Sequence, residues 1–225
     1  MAWAAGERHG GVIFDVDGTL LDTNYLHVAA WWEAFRERGH DIRCADIHRA
    51  IGMGSAELVE RVLGRPDPSV SAAHSRHYAP YLGRMRPLPG AAALLHAIAR
   101  LGLAVVLATS AKDDEVGLML DALGAGDAVS AVVSSGAVGR AKPDPGIVSK
   151  ALDESGADPG RALMVGDTVW DVISAERAGL RCIGLLCGGI AAEQLRGAGA
   201  IEVYDDPAAL LGGLRASPIG RLGPG

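Results

Sequence analysis

The sequence predicts an α/β fold: a parallel sheet flanked by helices, with a small all-α unit inserted after the first strand. Three observations carry this. Five short apolar runs show no polar alternation, the pattern of strands buried on both faces. Helical patterns of 3.6-residue period separate most of them. One interval, from Thr23 to about Met85, has helical patterns but no strand-like run.

Taken in order, Gly11–Phe14 is the first strand, bounded by Gly10 and Asp15. Within the insertion, residues 26–38 read as a helix stopping at Gly39 and residues 56–63 as one stopping at Gly64, followed by a His- and Tyr-rich segment at 74–81. Pro87, Pro89 and Gly90 punctuate the return to the sheet. Leu94, Leu95, Ile98 and Leu101 form a helical stripe ended by Gly102, and residues 103–108 a second strand. Val116, Met119, Leu120 and Leu123 repeat the pattern up to Gly124, before a third strand at 129–133. Residues 162–165 and 182–186 are the fourth and fifth strands, separated by a helix from near Asp171 to Gly179. The division expected is a sheet domain (9–22 and 85–215), a helical cap (23–84) and a Gly- and Pro-rich tail (216–225) that frays.

The chain has 225 residues, 49% of them hydrophobic, and a formal net charge of −6. That length suits one domain with an insertion, or two small ones, and suffices for a real core. The longest stretch without a charged residue, 87–99, is shorter than the roughly 20 residues of a membrane-spanning helix, and the first ten residues lack the regions of a signal peptide. The acidic balance, with no basic run, lacks the footprint of a nucleic-acid binder. Cys44, Cys182 and Cys187 are odd in number and have no metal-site spacing, which disfavours a disulfide framework and a zinc site. The expectation is a cytoplasmic protein, monomer or homodimer, with no nucleic-acid or membrane partner. Of 21 basic residues only Lys112, Lys142 and Lys150 are lysines.

Ligands of open α/β sheets bind beyond the carboxyl ends of the strands. Asp15, Val16, Asp17, Gly18 and Thr19 follow the first strand, Thr109 and Ser110 the second, and Asp167 and Asp171 the fourth. Lys142 lies in the connection after the third. Four carboxylates on one edge repel unless a cation neutralises them, and hard oxygen donors favour Mg²⁺. Asp15 and Asp17 project from one side of the chain, so one can attack while the other handles the proton. Gly18 is expected to let backbone N–H groups approach an anion, and Lys142 to supply a point charge for phosphate. Singly, each has an ordinary reading: an Asp-Gly turn, a helix cap at Asp171, a strand-end hydroxyl at Thr109, a solvated Lys142. Complementary chemistry from four segments on one edge favours a functional site.

The strings FDVDGTLLDT (14–23), strand-end Thr109, Lys142 in AKPDP and VGDTVWD (165–171) resemble the four ordered motifs of the haloacid dehalogenase (HAD) superfamily, subfamily I, over residues 10–214. The resemblance implies an HAD-like Rossmannoid sheet with the insertion as a C1-type cap. It implies that Asp15 is a nucleophile forming an aspartyl-phosphate, and that Asp17 is the general acid and base, its carbonyl also binding Mg²⁺. Asp15 and Asp167 would ligate the metal directly, and Asp171 would act through water or from behind them. Gly18, Thr109, Ser110 and Lys142 would make up the phosphate site.

Asp17 favours a phosphate ester over a haloacid, since an alcohol leaving group needs a proton and a halide does not. In the cap, residues 22–31 resemble the first cap helix of β-phosphoglucomutases, including His27, and residues 51–55 their specificity loop. The mutases place an Arg after the loop glycine; here Met53 follows Gly52, and Arg49 is the available substitute, though it also reads as a surface residue. His27, Arg49, Gly52 and Ser55 are the cap candidates for substrate contact. Trp31, Trp32 and Phe35 cannot share one helix face, so some belong to the cap core. The cap has no lysine, whereas phosphonoacetaldehyde hydrolases need one for a Schiff base and β-phosphoglucomutases carry one near the substrate. The favoured function is a Mg²⁺-dependent phosphatase of small phosphate esters, phosphoglycolate- or sugar-phosphate-like. A β-phosphoglucomutase-like enzyme is the alternative, and a phospho-acceptor switch the alternative of another class, opposed by the order of Lys and acids and by the cap. Cap hinges are expected near Thr23 and at 84–89.

Overall fold

In the computed structural model, which describes residues 9–134, 136 and 141–223, six parallel strands form one sheet: β1 (Gly11–Phe14), β2 (Ala104–Ala108), β3 (Ala131–Val133), β4 (Ala162–Gly166), β5 (Arg181–Leu185) and β6 (Glu202–Tyr204). Their order is β3-β2-β1-β4-β5-β6. The sheet grows outward in both directions from β1, and the crevice between β1 and its neighbours is where such folds bind ligands. Phe14 pairs with Leu107 of β2 and with Val165 of β4. Asp15, Thr109 and Asp167 therefore leave the sheet side by side.

Side chains alternate across the strands, as a period of two requires. Val12, Phe14, Val105, Leu107, Leu163 and Val165 pack on one face with Leu94, Leu95 and Ile98 of α5 (Ala91–Arg100). Ile13, Val106 and Met164 pack on the other with Ile147 and Ala151 of α7 (Gly146–Ser155) and Val172 and Ala175 of α8 (Val169–Arg177). Because both faces are covered, the strands need no polar alternation, which is why the sequence showed them as continuous apolar runs.

The insertion contains α1 (Asn24–Glu37), α2 (Cys44–His48), α3 (Ser55–Leu63) and α4 (Pro68–Tyr78). They enclose a third apolar cluster, with Trp31, Phe35, Ile47, Leu58 and Val70 buried in it and Trp32 partly buried against it. The segments that join insertion and sheet run antiparallel: Asp22 N–H donates to Arg86 O and Leu88 N–H to Leu20 O, at 2.9 and 2.8 Å. No helix among the described residues is long and apolar enough to cross a membrane.

Several expectations change. Strand β6 was not anticipated: three residues at a sheet edge, Glu202, Val203 and Tyr204, are each half-buried and leave no apolar run. Helix α4 was read only as a His- and Tyr-rich segment, although Asp67 caps it by accepting from Ser69 N–H and Pro68 occupies its first turn. Residues 129 and 130 turn before β3 begins, with Ser130 N–H donating to Val105 O at 2.7 Å. The tail expected to fray at 216–225 is packed through the residues described. Ile219 and Leu222 are buried in the sheet's apolar cluster, and the Ser217 hydroxyl donates to Leu214 O, while residues 224 and 225 lie outside the described chain.

Candidate active site

Asp15, the residue after β1, is buried, and its N–H donates to Val165 O at 3.0 Å, which continues the β1–β4 ladder by one bond. Asp167 follows β4, and Asp171 lies in the first turn of α8. Carboxylate oxygens of Asp15, Asp167 and Asp171 lie within 4.8 Å of one another, and all three side chains are buried. Lys142, fully buried, donates to Asp15 on one side and to Asp171 Oδ1 at 2.7 Å on the other. The second Asp171 oxygen accepts from Thr168 N–H and from the Thr168 hydroxyl, at 3.0 and 2.7 Å. Asp171 thus has both oxygens engaged by protein donors and also caps its own helix.

Burial, reinforced by Asp171, Asp167 and Asp17, pushes Asp15 well above the ordinary carboxylate range although Lys142 opposes the shift. Burial and repulsion from Asp171 push Asp167 up to about 7. Lys142 is also raised above its ordinary value: burial alone would lower it, but the Asp15 and Asp171 carboxylates outweigh burial and hold the ammonium charged. Three buried carboxylates around one ammonium leave an excess of negative charge on hard oxygen donors. A divalent cation fits that donor set.

Asp17 stands apart from the trio. Its carboxylate turns toward the insertion, accepting from the Thr23 hydroxyl at 2.6 Å and from His27 Nε2 at 3.4 Å. Burial would raise its pKa, but the His27 charge and hydrogen bond, the Thr23 hydroxyl and Lys142 outweigh it and leave it lowered. Because a carboxylate only accepts, His27 Nε2 is the donor to Asp17, and His27 Nδ1 lies 3.3 Å from His74 Nε2. Tyr78 stacks on His27 at 3.8 Å and Trp31 on His74 at 3.9 Å, holding both imidazoles in place.

The cleft above Asp15 and Asp17 lies between sheet and insertion, and His27, Gly52 and Ser55 are among the residues that line it. One expectation is corrected. Arg49 points away: its guanidinium bonds Asp46 at 2.7 Å and is largely exposed, because α2 turns that face to solvent. The Gly18 N–H itself donates to Leu21 O at 2.8 Å within the turn. The glycine is required there by φ +77° and by the Asn24 amide, which would lie 2.2 Å from a Cβ. Thr109 is buried just beyond β2, its Oγ1 accepting from Ala111 N–H at 3.1 Å, and Ser110 lines the cleft, its buried hydroxyl without a hydrogen-bond partner among the described residues.

Sequence reasoning assigned no role to several residues that the fold brings to the site. The Thr19 hydroxyl donates to Asp167 Oδ1 at 2.7 Å, and Asn24 Nδ2 to Asp167 Oδ2 at 2.7 Å. Lys112 precedes α6 (Asp113–Leu123), and its ammonium crosses the cleft to Ser75 Oγ at 2.9 Å. The insertion is fastened to the sheet elsewhere by His48 Nε2 donating to Gly188 O at 2.9 Å and by Trp170 Nε1 donating to Arg49 O at 3.2 Å. Arg61 lies over the Trp170 ring, 4.7 Å from its centre.

The family model described as haloacid dehalogenase-like hydrolase matches residues 10–179. A phosphoglycolate phosphatase of Rhodospirillum rubrum is 32% identical over 215 residues, covering 88% of each chain. The crystal structure of a hydrolase from Pseudomonas syringae superposes with TM-score 0.86 at 33% identity, covering 92% of this chain and 98% of that one. A β-phosphoglucomutase from Clostridium difficile, at 20% identity and TM-score 0.81 over 95% and 98% of the two chains, shares the fold.

Proposed function

The chain belongs to the haloacid dehalogenase-like hydrolase family, and from that premise we propose a Mg²⁺-dependent phosphatase of small phosphate monoesters that works through an aspartyl-phosphate on Asp15. The observation that carries this reading is the pairing of Asp15, held among buried carboxylates and Lys142, with Asp17, held apart by Thr23 and His27. One carboxylate is placed for attack and the other for proton transfer. Phosphoryl transfer asks for that division of labour, together with charge neutralisation.

Asp15 and Asp167, with the Asp17 carbonyl and with Asp171 behind them, would hold the Mg²⁺. Bound there, the ion would offset the carboxylate charge and that of the phosphoryl oxygens. Asp15 Oδ attacks phosphorus as the ester P–O bond breaks, and Asp17, which has to take up a proton before this step, passes it to the departing alkoxide. Asp17 then takes a proton from a water that attacks the same phosphorus, and the aspartyl P–O bond breaks to return Asp15 and release phosphate. Lys142 keeps its charge beside Asp15 throughout, and Thr109 and Ser110 are the hydroxyls available to the phosphoryl oxygens.

The helical insertion serves as a cap (23–84) on a sheet domain (9–22 and 85–215), excluding water during transfer. Its antiparallel connectors at 20–22 and 86–88 are the hinges. Among the described residues, no Arg or Lys of the insertion lines the cleft, and Arg49 is turned to solvent. That supports release of phosphate over a mutase that grips the distal phosphate from its cap; the lysine at the cleft, Lys112, comes from the sheet domain. The name of the Rhodospirillum rubrum relative makes 2-phosphoglycolate the first ester to try, with sugar phosphates beside it.

The test is phosphate release from a panel of phosphomonoesters with Mg²⁺ or with EDTA, for the wild type and Asp15→Asn. Sustained turnover that needs Mg²⁺ and disappears in Asp15→Asn is expected. Release that stops below one phosphate per chain would instead indicate a switch. Formation of glucose 6-phosphate from β-glucose 1-phosphate and a trace of the bisphosphate, faster than phosphate release, would favour a mutase.

A further inference from the structure

Asn24 is the first residue of α1, yet its buried side chain reaches into the carboxylate cluster of the sheet domain. Nδ2 donates to Asp167 Oδ2 at 2.7 Å and to Gly188 O at 3.3 Å. Both partners only accept, so the nitrogen must face them and the orientation of the amide is determined. The other end of the amide, Oδ1, is buried and has no hydrogen-bond partner among the described residues. Two glycines keep this space open. A Cβ on Gly18 would lie 2.2 Å from Asn24 Nδ2, and one on Gly188 would lie 1.7 Å from Asp167 Oδ2. A buried acceptor beside a carboxylate cluster calls for a donor. A water carried by a cation at Asp167 would be one.

We propose that Asn24 is a positioning residue of the metal site: Nδ2 orients Asp167 for a divalent cation, and Oδ1 accepts from a water that the cation holds. This rests on the reading of Asp167 as a metal ligand. It also ties the first cap helix to the metal, because the amide that orients Asp167 begins α1. Thr19 holds the other Asp167 oxygen, at 2.7 Å, so the carboxylate is fixed from both sides. Partners that orient metal ligands act chiefly on affinity.

The test is titration calorimetry with Mg²⁺ on the full chain, together with thermal unfolding in EDTA, for the wild type, Asn24→Ala, Asn24→Leu, His48→Ala and Asp167→Ala. Both Asn24 variants are expected to bind Mg²⁺ about 10–100-fold more weakly than wild type. His48→Ala removes another hydrogen bond to Gly188 O without touching Asp167, and is expected to keep wild-type affinity. Asn24 variants that unfold earlier but bind Mg²⁺ as the wild type does would overturn the proposal, because Asn24 would then only anchor α1. If Asn24→Leu does not fold, Asn24→Ser, polar but too short to reach Asp167, carries the same expectation. A wild type that binds no Mg²⁺, or binds it equally well after Asp167→Ala, overturns the metal-site reading and the role of Asn24 together.

Discussion

Lys142 Nζ lies 2.7 Å from the Asp171 carboxylate, and neither side chain has any solvent exposure. The same ammonium also donates to Asp15, so one positive charge serves the residue assigned to attack and the residue that caps α8. On the proposed mechanism, stability and chemistry both depend on it.

Replacing Lys142 with Met preserves much of the length and removes the charge, leaving Asp15 and Asp171 to face each other. Removing one partner of a buried ion pair costs about 3–5 kcal/mol. The urea midpoint should fall accordingly and phosphate release should stop. A variant with the wild-type midpoint would mean that the lysine is not neutralising these acids.

Asp17→Asn removes the proposed proton donor while Thr23 can still hold the side chain. Turnover of alkyl phosphates should drop about 10²–10⁴-fold, the usual worth of general acid–base catalysis. An aryl phosphate such as p-nitrophenyl phosphate needs no proton on its leaving group, so it should give a burst of phenolate followed by slow turnover as Asp15 stays phosphorylated. Equal losses with both esters and no burst would place Asp17 outside proton transfer.

His74 is buried beneath Trp31, and burial, followed by the charges of His27, Lys112 and His77, keeps its pKa well below the ordinary 6.5. As the pH falls through 6.5 the unfolded chain takes up a proton at this residue while the folded chain does not. Stability present at neutral pH is therefore lost on acidification, by up to about 1.4 kcal/mol per pH unit from this one group. His74→Phe keeps the ring stack and should flatten that slope, measured as urea midpoints between about pH 5 and pH 7.5 across the ordinary histidine range. Parallel slopes for the two proteins would refute it.

Excess carboxylate charge predicts a stability that depends on Mg²⁺. A ligand at a hundred times its dissociation constant stabilises the folded state by about 2.7 kcal/mol, so Mg²⁺ should raise the unfolding temperature and EDTA should reverse the rise. Asp167→Asn removes one repelling charge. It should unfold no earlier than wild type in EDTA and gain little from Mg²⁺. A full Mg²⁺-dependent rise in Asp167→Asn would put the metal elsewhere.

The strands that hold the site were legible because they are buried on both faces: Gly11–Phe14 stands in the sheet with the bounds its apolar run suggests. The helices that escaped notice have other signals. Helix α7 follows Pro145 and carries polar residues among Ile147, Val148 and Ala151, and α2 is too short to show a period. The site was legible for a related reason. Asp15 and Thr109 follow an apolar run directly and Asp167 follows one after a single glycine, and adjacent parallel strands bring their ends together.

By itself the sequence determined the sheet, the helical insertion, and the carboxylates, hydroxyls and lysine at the strand ends, because each depends on short spacings along the chain. Only the tertiary structure decided how those groups are used. Asn24 and Asp167 are 143 residues apart in sequence and 2.7 Å apart in space, Arg49 is turned to solvent, and the Gly18 N–H is consumed within its own turn. A side chain's aim follows from the packing around its helix and from which donors remain unpaired after folding, and local patterns of polarity do not encode either.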